Sequence, residues 1–322
     1  MSHRVGQGVI LAAGRGTRLQ PLSQLIPKPL QPVCNKPIMQ YQIEAMHAAG
    51  INEIAIVISP TGEAIPACFG DGAQLGVRLT YLEDPAPAGI AASLARTEPW
   101  VRGPFAVFLG DIFLSLTELG PALAPLEQGA AGTLIVRRDL PAAVQRNFAV
   151  LVEADGRVVQ VIEKPQRPPT NLKGCGVYVF DQSIFEAIRR TPRSALRNEY
   201  ELTDAIQTMI GFGPPLFAAD LVRWDMNITF PGDLLACNLR VLREQHGSGL
   251  VSPRAVIDVH AELIQTVVGD DATIGAPVRL EECLVLPRAQ VRSFEGIRRR
   301  MIFAEEGQLD PAASARSVYP GW

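Results

Sequence analysis

The sequence predicts an α/β protein with a Rossmann-like, mainly parallel sheet flanked by helices, followed by a short left-handed β-helix-like domain of hexapeptide repeats. Two observations carry this prediction. Short aliphatic runs alternate with amphipathic stretches from residue 7 to residue 240, and aliphatic residues recur at a six-residue spacing after residue 249. Strands that alternate with helices are typical of a parallel sheet covered on both faces. Hexapeptide repeats are typical of a stacked parallel β-helix.

Each predicted strand is an aliphatic or aromatic run bounded by glycine, proline or polar residues. The first strand, residues 8–12, leads directly into a glycine loop. The other predicted strands are residues 53–59, 77–82, 105–109, 133–136, 148–152, 158–162 and 177–180. Ligands of such sheets bind beyond the carboxyl ends of the strands, so we expect a site in the loops that follow them.

Five helices are predicted, two between these strands and three after them, at residues 38–49, 90–96, 182–190, 203–210 and 232–245. The first has the clearest pattern, because Ile38, Tyr41, Ile43 and Met46 can share one broad apolar face. Gly50 follows as a helix cap.

A linker at residues 247–249 is predicted to separate a large domain, residues 1–246, from a small one, residues 250–304. The six-residue spacing in the small domain is broken only by Glu262 and is carried by Leu250, Val256, Val268, Ile274, Leu280 and Leu286. The alternative is a small β-domain with an accidental spacing. We expect residues 305–322 to form a mobile tail. Because the ends of repeat stacks need covering, we also predict a homo-oligomer.

Composition excludes several classes of function. The formal net charge of -3 gives no general attraction to nucleic acid or to an anionic membrane. The first apolar stretch is far too short to span a bilayer. The five cysteines are scattered and form no Cys-x-x-Cys pair, so we expect reduced thiols and a cytoplasmic protein rather than disulfides or a zinc site.

A glycine loop at residues 11–19 is the most informative stretch, with the sequence Leu-Ala-Ala-Gly-Arg-Gly-Thr-Arg-Leu. A glycine-rich turn after a buried strand lets backbone N–H groups approach phosphate oxygens. Arg18 and Lys28 would add positive charge there. A dinucleotide fingerprint would need a third glycine where Leu19 stands, and no Gly-Lys-Ser/Thr triplet of a P-loop follows. The alternative is a tight turn without function.

The extended motif resembles the sugar-phosphate nucleotidylyltransferases, which make dTDP-, UDP-, GDP- and CDP-sugars. The matching residues are Gly14, Gly16, Thr17, Arg18, Leu19, Pro27, Lys28, Pro29, Asn35, Lys36, Pro37 and Glu44. The resemblance continues in weaker blocks to about residue 238. It implies that a sugar 1-phosphate attacks the α-phosphorus of a nucleoside triphosphate, giving an NDP-sugar and pyrophosphate. The attacking oxygen is already anionic, so positioning and charge neutralisation would supply the catalysis.

The resemblance also implies which residues bind the nucleotide. Arg18 would hold the β- and γ-phosphates, and Lys28 would stabilise the charge that develops at the α-phosphate. The other implied nucleotide-binding residues are Leu11, Ala12, Ala13, Gly14, Gly16, Thr17, Gly89 and Asp111. The block at Gly89 has Ala92 where thymidylyl enzymes have a glutamine that could read a pyrimidine, so the base stays open.

Mg²⁺ is the implied cofactor. Asp111 follows the predicted strand 105–109, and magnesium needs only one or two protein oxygens in addition to phosphates and water. A second ligand is expected shortly before Asp233-Leu234-Leu235. Counting back from Asp233 gives Asn227, whereas Asp225 lies two residues earlier on the same side of an extended strand. Both candidates remain open.

The sugar phosphate would be bound by an E-K-P block, Glu163-Lys164-Pro165. By resemblance, Glu163 bonds sugar hydroxyls and Lys164 binds the phosphate, and Asn171, Gly176 and Tyr178 line the sugar site. Many relatives have a glycine near Ala149, so the identity of the sugar stays open.

We therefore expect an Mg²⁺-dependent enzyme whose partners are a nucleoside triphosphate and a sugar 1-phosphate, with neither nucleic acid nor a membrane. Glucose 1-phosphate with dTTP or UTP is the first expectation. The alternatives are a mannose-1-phosphate guanylyltransferase, a cytidylyl enzyme, or a non-catalytic relative that binds nucleotide-sugars and regulates a partner. Retention of Arg18, Lys28, Asp111 and Lys164 disfavours the non-catalytic relative.

Overall fold

The computed structural model describes residues 5–14, 16–195 and 197–312. The chain divides into two compact units, the first comprising residues 1–14 and 41–225 and the second residues 15–40 and 226–322. This division differs from the predicted boundary at residue 246, because residues 15–40 group with the C-terminal part of the chain. Each unit is described separately below.

Thirteen strands precede the C-terminal region in the described residues. They are β1 (Gln7–Leu11), β2 (Pro32–Val33), β3 (Lys36–Pro37), β4 (Glu53–Ile58), β5 (Arg78–Glu83), β6 (Phe105–Leu109), β7 (Ile112–Leu116), β8 (Gly132–Arg138), β9 (Phe148–Val152), β10 (Val158–Glu163), β11 (Leu172–Phe180), β12 (Leu216–Asp220) and β13 (Val222–Asn227). Every predicted strand between residues 7 and 240 has a counterpart here, whereas β2, β3, β7, β12 and β13 were not predicted.

The α-helices of the described residues are α1 (Leu22–Leu25), α2 (Ile38–Ala48), α3 (Ala64–Phe69), α4 (Ile90–Ala95), α5 (Gly120–Glu127), α6 (Pro141–Arg146), α7 (Ser183–Arg190), α8 (Leu202–Ile210) and α9 (Pro231–Val241). Short 3₁₀ turns occur at Thr17–Leu19, Lys28–Leu30 and Ala73–Leu75, and a π-helical turn, Leu242–His246, follows α9. In this part of the chain, no helix combines the length and apolarity needed to cross a membrane.

A nine-stranded sheet forms the centre of the first unit, with the order β10-β9-β11-β6-β1-β4-β5 and with β8 and β12 attached beside β11. Strands β6, β1, β4 and β5 pair in parallel, as do β8 and β12. Strand β11 is antiparallel to β6, β8 and β9, and β10 is antiparallel to β9. Seven of the nine strands therefore point the same way, which confirms the prediction of an α/β fold with a mostly parallel central sheet.

Packing against this sheet is aliphatic and aromatic. The ring of Phe105 on β6 stacks on Phe185 of α7 with centroids 5.5 Å apart. On the neighbouring strands, Tyr178 lies between Phe148 and Phe180, with centroid distances of 6.2 and 5.5 Å. Helices α4, α7 and α8 also contribute buried residues to this core, among them Leu94, Ile184 and Ile206.

Eleven short strands follow in the second unit. They are β14 (Gly249–Val251), β15 (Val256–Ile257), β16 (Glu262–Ile264), β17 (Thr266–Val268), β18 (Thr273–Ile274), β19 (Arg279–Glu281), β20 (Leu284–Val285), β21 (Gln290–Val291), β22 (Ile297–Arg299), β23 (Ile302–Ala304) and β24 (Gly307–Leu309). They form three sheets with the orders β14-β17-β20-β23-β24, β15-β18-β21 and β16-β19-β22.

The pairing of these strands repeats at an interval of 17 or 18 residues. Val256 pairs with Thr273, and Thr273 pairs with Gln290, so each partner lies 17 residues further along the chain. All pairs are parallel except the final hairpin of β23 and β24. Ile274 on the second strand of its sheet is fully buried, whereas Val256 is 64% exposed. The six-residue spacing therefore predicted where the strands lie better than it predicted whether their aliphatic residues are buried.

The segment predicted to be a mobile tail begins within structure. Residues 307–309 form β24, which pairs with β23 through Ile302 and Leu309. The prediction missed this hairpin because a three-residue strand has too little pattern to be detected. The remainder of that segment, residues 313–322, lies outside the described residues.

Residues 32–35 pack against α9 within the second unit, and Asn238 is the main link. The backbone N–H of Cys34 donates to the Asn238 Oδ1 at 2.8 Å, and the Asn238 Nδ2 donates to the carbonyl of Pro32 at 2.9 Å. The Asn35 side chain donates to the carbonyl of Val268 at 2.9 Å. These bonds explain why the second unit contains an N-terminal segment.

Candidate active site

The carboxyl end of the central strands carries part of the predicted nucleotide site. In the first unit, β1 lies between β4 and β6 in parallel register, with Leu11 opposite Leu109. The N–H of Gly110 donates to the carbonyl of Leu11 at 2.9 Å, and a Cβ on Gly110 would lie 3.0 Å from that oxygen. Glycine therefore allows this close approach. The parallel register of β1 and β6 brings Ala12 and the half-buried Asp111 to the same edge of the sheet, as predicted from the strand pattern.

The loop before α4, in the first unit, is held by backbone contacts to Tyr200. Gly89, just before α4, has φ +119, and a Cβ there would lie 2.6 Å from the backbone nitrogen of Tyr200. The N–H of Ala91 donates to the Tyr200 carbonyl at 3.0 Å, and the Tyr200 N–H donates to the Ala88 carbonyl at 2.8 Å. Gly89 therefore has a clear structural role, and its predicted contact with the base remains a prediction.

The glycine loop continues in the second unit. Gly16 has φ +59, and a Cβ there would lie 3.2 Å from the Cβ of Lys28, so the turn packs directly on this lysine. Thr17 and Arg18 lie in the following 3₁₀ turn, and both are exposed. Arg15 lies outside the described residues.

Lys28 is buried, and its ammonium contacts Asn227. The Lys28 Nζ donates to the Asn227 Oδ1 at 3.0 Å, and the Thr229 hydroxyl lies 3.3 Å from the same oxygen. Two donors therefore orient this amide so that its oxygen faces a cation. The structure thus brings together Lys28 and Asn227, two residues that sequence analysis selected from motifs 199 positions apart.

Helix α9 begins at Pro231, and its first turn fixes the segment that connects it to Asn227. The carboxylate of Asp233 accepts hydrogen bonds from the backbone N–H groups of Thr229, at 3.0 Å, and Phe230, at 2.8 Å. Asp233 is fully buried. Because the carboxylate satisfies donors at the helix start, the turn from residue 227 to residue 231 has one defined conformation.

Glu163 in the first unit is the centre of a polar cluster. Its Oε2 accepts a hydrogen bond from the Thr203 hydroxyl at 2.8 Å. Its Oε1 contacts the Lys164 Nζ at 3.0 Å and the Arg197 Nη2 at 2.7 Å. Arg197 also contacts the buried Glu201 at 2.9 Å. Two cations thus share one carboxylate oxygen, which is an arrangement that can bind an anionic phosphate.

Two further acids near Glu163 have raised pKa values. Burial raises the pKa of Glu201, and the negative charge of Glu163 adds to this effect, although Arg197 opposes it. Burial and Glu163 also raise the pKa of Asp204 on α8.

The remaining residues of the predicted sugar site lie on or before β11. Asn171 is exposed, and its side-chain oxygen accepts a hydrogen bond from Arg138 at 3.0 Å. Gly176 has φ +72, and a Cβ there would lie 2.5 Å from Ile112 Cδ1. Tyr178 is only 3% exposed and belongs to the apolar core, where burial raises its pKa. Tyr178 and Gly176 therefore have evident packing roles.

Asp225 lies in a buried charge cluster of the first unit. The Lys173 Nζ donates to both Asp225 oxygens at 2.7 Å and lies 3.2 Å from Asp139. The Arg137 Nε lies 3.1 Å from Asp225 Oδ1, and Arg137 also bonds Asp139. Both oxygens of Asp225 are therefore engaged by protein cations.

The donor set fits magnesium better than a metal held entirely by the protein. In the described ranges, no group of three or more His, Cys, Asp or Glu side chains is placed to hold a metal ion. Magnesium usually binds through one or two protein oxygens, with substrate phosphates and water completing the shell. In the first unit, Asp111 offers one half-buried carboxylate after β6, which is the kind of single protein ligand that such an ion uses.

Sequence analysis missed Arg197, Lys173 and Arg137. Arg197 precedes a predicted helix and belongs to no motif that we selected. A detectable signal existed for Lys173, because it is a lysine inside the apolar run of β11, where a charge needs a partner. All five cysteines are described, and none forms a disulfide.

Comparison with known proteins identifies the family. The family model described as nucleotidyl transferase matches residues 7–225. The chain is 35% identical to the low-salt glycan biosynthesis nucleotidyltransferase of Haloferax volcanii over 264 residues, which covers 81% of this chain and 73% of that protein. It is 32% identical to a glucose-1-phosphate thymidylyltransferase of Streptomyces antibioticus, covering 83% of this chain and 74% of that protein.

A solved structure described as UDP-glucose pyrophosphorylase complexed with UDP-glucose has the same fold, with a TM-score of 0.68 and 21% identity. The likeness covers 75% of this chain and all of that chain. The chain therefore belongs to the nucleotidyl transferase family, as the motif at residues 11–19 indicated.

Proposed function

We propose that this protein transfers a nucleotidyl group from a nucleoside triphosphate to a sugar 1-phosphate, giving an NDP-sugar and pyrophosphate. The observation that carries the proposal is the family match over residues 7–225, which includes the glycine loop, Asp111 and the Glu163-Lys164 cluster. Glucose 1-phosphate is the first substrate to test, with dTTP or UTP, because relatives are named for glucose 1-phosphate and thymidylyl transfer. The non-catalytic alternative is not favoured, since the named relatives are transferases.

Charge neutralisation is the chemistry that these residues can supply. The attacking phosphate oxygen is already anionic, so no general base is needed, and catalysis depends on holding two anions close together. We assign Arg18 to the β- and γ-phosphates and Lys28 to the charge that develops at the α-phosphate. Lys164 and Arg197 would bind the sugar phosphate, since both contact the same oxygen of Glu163. The backbone of the glycine loop would donate hydrogen bonds to phosphate oxygens.

Mg²⁺ is the proposed cofactor, and Asp111 is its proposed protein ligand in the first unit. Asn227 and Asp225 stay the two candidates for a second ligand. Lys28 donates to the side-chain oxygen of Asn227, and Lys173 donates to both oxygens of Asp225, so either residue would have to exchange a lysine contact for the ion. When bound, the ion would neutralise phosphate charge and help to orient the triphosphate.

The C-terminal strands support a second proposal. Three parallel sheets whose pairs recur at 17 or 18 residues fit a short β-helix, because each coil would contribute one strand to each sheet. We propose this arrangement, left-handed as in hexapeptide-repeat proteins, for residues 249–304. We also propose that the uncovered coil carrying Val256 and Val259, which are 64% and 89% exposed, contributes to a homo-oligomer. Five thiols without a disulfide suit a cytoplasmic enzyme.

The test is pyrophosphate release by the purified protein with Mg²⁺, across five nucleoside triphosphates and several sugar 1-phosphates. We expect release to need both substrates. Replacing Lys28 with alanine should lower kcat by at least about 100-fold, since it removes a charge that acts on the transition state. Arg78→Ala is the matched control, because Arg78 is an exposed cation on β5 that pairs with Glu53.

Two outcomes would count against the proposal. Failure of every substrate pair, with nucleotide-sugar binding still measurable, would favour the regulatory binder. An equal effect of Lys28→Ala and Arg78→Ala would remove Lys28 from the proposed mechanism.

A further inference from the structure

Glu201 is a buried acid that has no part in the reaction as assigned above. It is 4% exposed, and its Oε1 lies 2.9 Å from the Arg197 Nε. Glu201 directly precedes helix α8 as its N-cap residue, yet its side chain makes no capping hydrogen bond. Burying a carboxylate removes it from water at a cost that a paired cation must offset. Since it does not cap α8, the ion pair with Arg197 is the contact that accounts for this acid.

The backbone of Glu201 is held on both sides, whereas Arg197 lies in an exposed loop. The N–H of Tyr200 donates to the carbonyl of Ala88 at 2.8 Å, and the N–H of Ala205 donates to the carbonyl of Glu201 at 3.2 Å. Arg197 lies in the segment between α7 and α8, and its side chain is 36% exposed. Because a long exposed side chain has many rotamers to lose, the fixed acid orients the arginine rather than the reverse.

The guanidinium of Arg197 lies between two acids of the first unit. Its Nε faces Glu201, and its Nη2 donates to the Glu163 Oε1 at 2.7 Å. The Lys164 Nζ lies 3.0 Å from the same Glu163 oxygen. A guanidinium is planar and rigid, so fixing two of its nitrogens also fixes the direction in which Nη1 donates. Glu201 therefore controls how Arg197 is presented beside Lys164.

We propose that Glu201 is a positioning residue of the sugar-phosphate site, which holds the Arg197 guanidinium beside Lys164 so that both cations bind one phosphate. This inference rests on the proposed function, since it takes Arg197 and Lys164 as the groups that bind the sugar phosphate. The sign of the effect separates positioning from general electrostatics. A negative charge near an anion weakens binding of that anion, whereas a carboxylate that positions a cation strengthens it.

The test is binding of glucose 1-phosphate to the full-length protein without nucleotide, by isothermal titration calorimetry, together with its KM in the pyrophosphate-release assay. Glu201→Gln keeps the shape of the side chain and removes its charge. It should weaken binding and raise this KM about fivefold or more, because an ionised partner no longer holds Arg197. The KM for the nucleoside triphosphate should stay within about twofold of the wild-type value.

Glu199→Gln is the matched control. It makes the same substitution two residues earlier, at an exposed glutamate of the same loop. Loss of this charge should leave binding of glucose 1-phosphate unchanged or slightly tighter, because an exposed charge acts only through screened electrostatics. Weaker binding in Glu201→Gln alone would therefore point to the contact with Arg197.

Arg197→Met and its combination with Glu201→Gln show whether the acid acts through the arginine. Arg197→Met alone should weaken binding at least as much as Glu201→Gln does. In the double variant, the change at Glu201 should add less than about twofold, since the residue that it positions is already absent. Circular dichroism would establish that each variant is folded. If Arg197→Met does not fold, because Glu201 is then buried without its partner, the contrast between Glu201→Gln and Glu199→Gln still decides.

Three results would overturn the inference. One is that Glu201→Gln binds glucose 1-phosphate as tightly as the wild type or more tightly, as simple removal of a negative charge would produce. Another is that Glu201→Gln weakens binding equally with and without Arg197. The last is that neither assay detects binding of glucose 1-phosphate to the wild type. A protein that binds glucose 1-phosphate but releases no pyrophosphate would refute the proposed reaction and leave this inference intact, so the two failures are distinguishable.

Discussion

Among single residues, Gly89 combines a backbone conformation and a setting that both exclude a side chain. Its φ and ψ, +119° and 163°, lie in a region that is essentially restricted to glycine. A Cβ would also lie 2.6 Å from the backbone nitrogen of Tyr200, and backbone cannot move aside as a flexible side chain can. Because Gly89 has no side chain, the loop before α4 can approach and bond the backbone of Tyr200.

Gly89→Ala should destabilise the protein by at least about 2 kcal/mol, since backbone strain of this kind costs about 1–3 kcal/mol before any clash is added. The measurement is urea unfolding followed by circular dichroism. Gly120→Ala serves as the control, because that glycine begins α5 and a Cβ there would meet nothing within 4 Å. Equal destabilisation by the two substitutions would show that the contact with Tyr200 does not matter.

Sequence analysis succeeded at residues whose chemistry is local and missed residues whose partners are distant. Glu163-Lys164 could be selected because it follows a predicted strand as a short motif. Arg197 could not, because its importance comes from a contact with Glu163, 34 positions away, that only tertiary packing creates. The same limit left Asn227 and Asp225 unresolved, since the sequence gives no indication that Lys173 engages one of them.

At the scale of elements, helix α9 depends on one buried acid. Asp233 in its first turn accepts two hydrogen bonds from the backbone of Thr229 and Phe230. The same turn leads from Asn227, whose amide oxygen accepts the bond from Lys28. Loss of the Asp233 carboxylate should therefore affect the start of the helix and the orientation of Asn227 together.

We expect Asp233→Ala to lower the free energy of unfolding by about 1–3 kcal/mol, because it leaves two partly buried backbone donors without an acceptor. It should also raise the Mg²⁺ concentration needed for half-maximal pyrophosphate release. The control is Asp155→Ala, which removes a carboxylate that bonds the Arg157 N–H on an exposed turn. A variant with normal stability and an unchanged Mg²⁺ requirement would contradict this account of α9.

Element boundaries were predictable where an apolar pattern reached the boundary. Strands β6 and β9 have the predicted limits, because aliphatic and aromatic residues fill them from end to end. Strand β11 starts five residues earlier than predicted, since Lys173, Gly174 and Gly176 interrupt its pattern. Gly174 is required there because a Cβ would collide with the ring of Phe148, a contact with a residue on another strand.

For the whole molecule, alternation of strands and helices was enough to predict the α/β class, but the division into units was not predictable. Residues 15–40 belong with the C-terminal part of the chain, and the link is Asn238, which bonds the backbone at Pro32 and Cys34. An asparagine on an otherwise apolar helix face gives no signal of such a partner. Sequence-based boundaries depend on composition along the chain, whereas units are defined by contacts between distant segments.

Acid stability is a property of the whole molecule that the buried charge cluster should influence. Although burial raises it, the pKa of Asp139 is lowered overall, because Arg137 hydrogen-bonds the carboxylate and Lys173 lies beside it. A carboxyl whose pKa is lower in the folded state contributes stability above its unfolded pKa, about 3.9 for aspartate. That contribution is lost as the pH falls through the folded value.

Asp139→Asn should therefore be less stable than the wild type at about pH 5 and should lose less stability than the wild type between about pH 4 and pH 3. The measurement is the free energy of unfolding in urea at each pH. Asp155→Asn, on its exposed turn, should follow the wild-type curve closely. If Asp139→Asn and the wild type lose stability in parallel over this range, Asp139 does not couple folding to acid, and the stability of the cluster must come from Lys173 and Asp225.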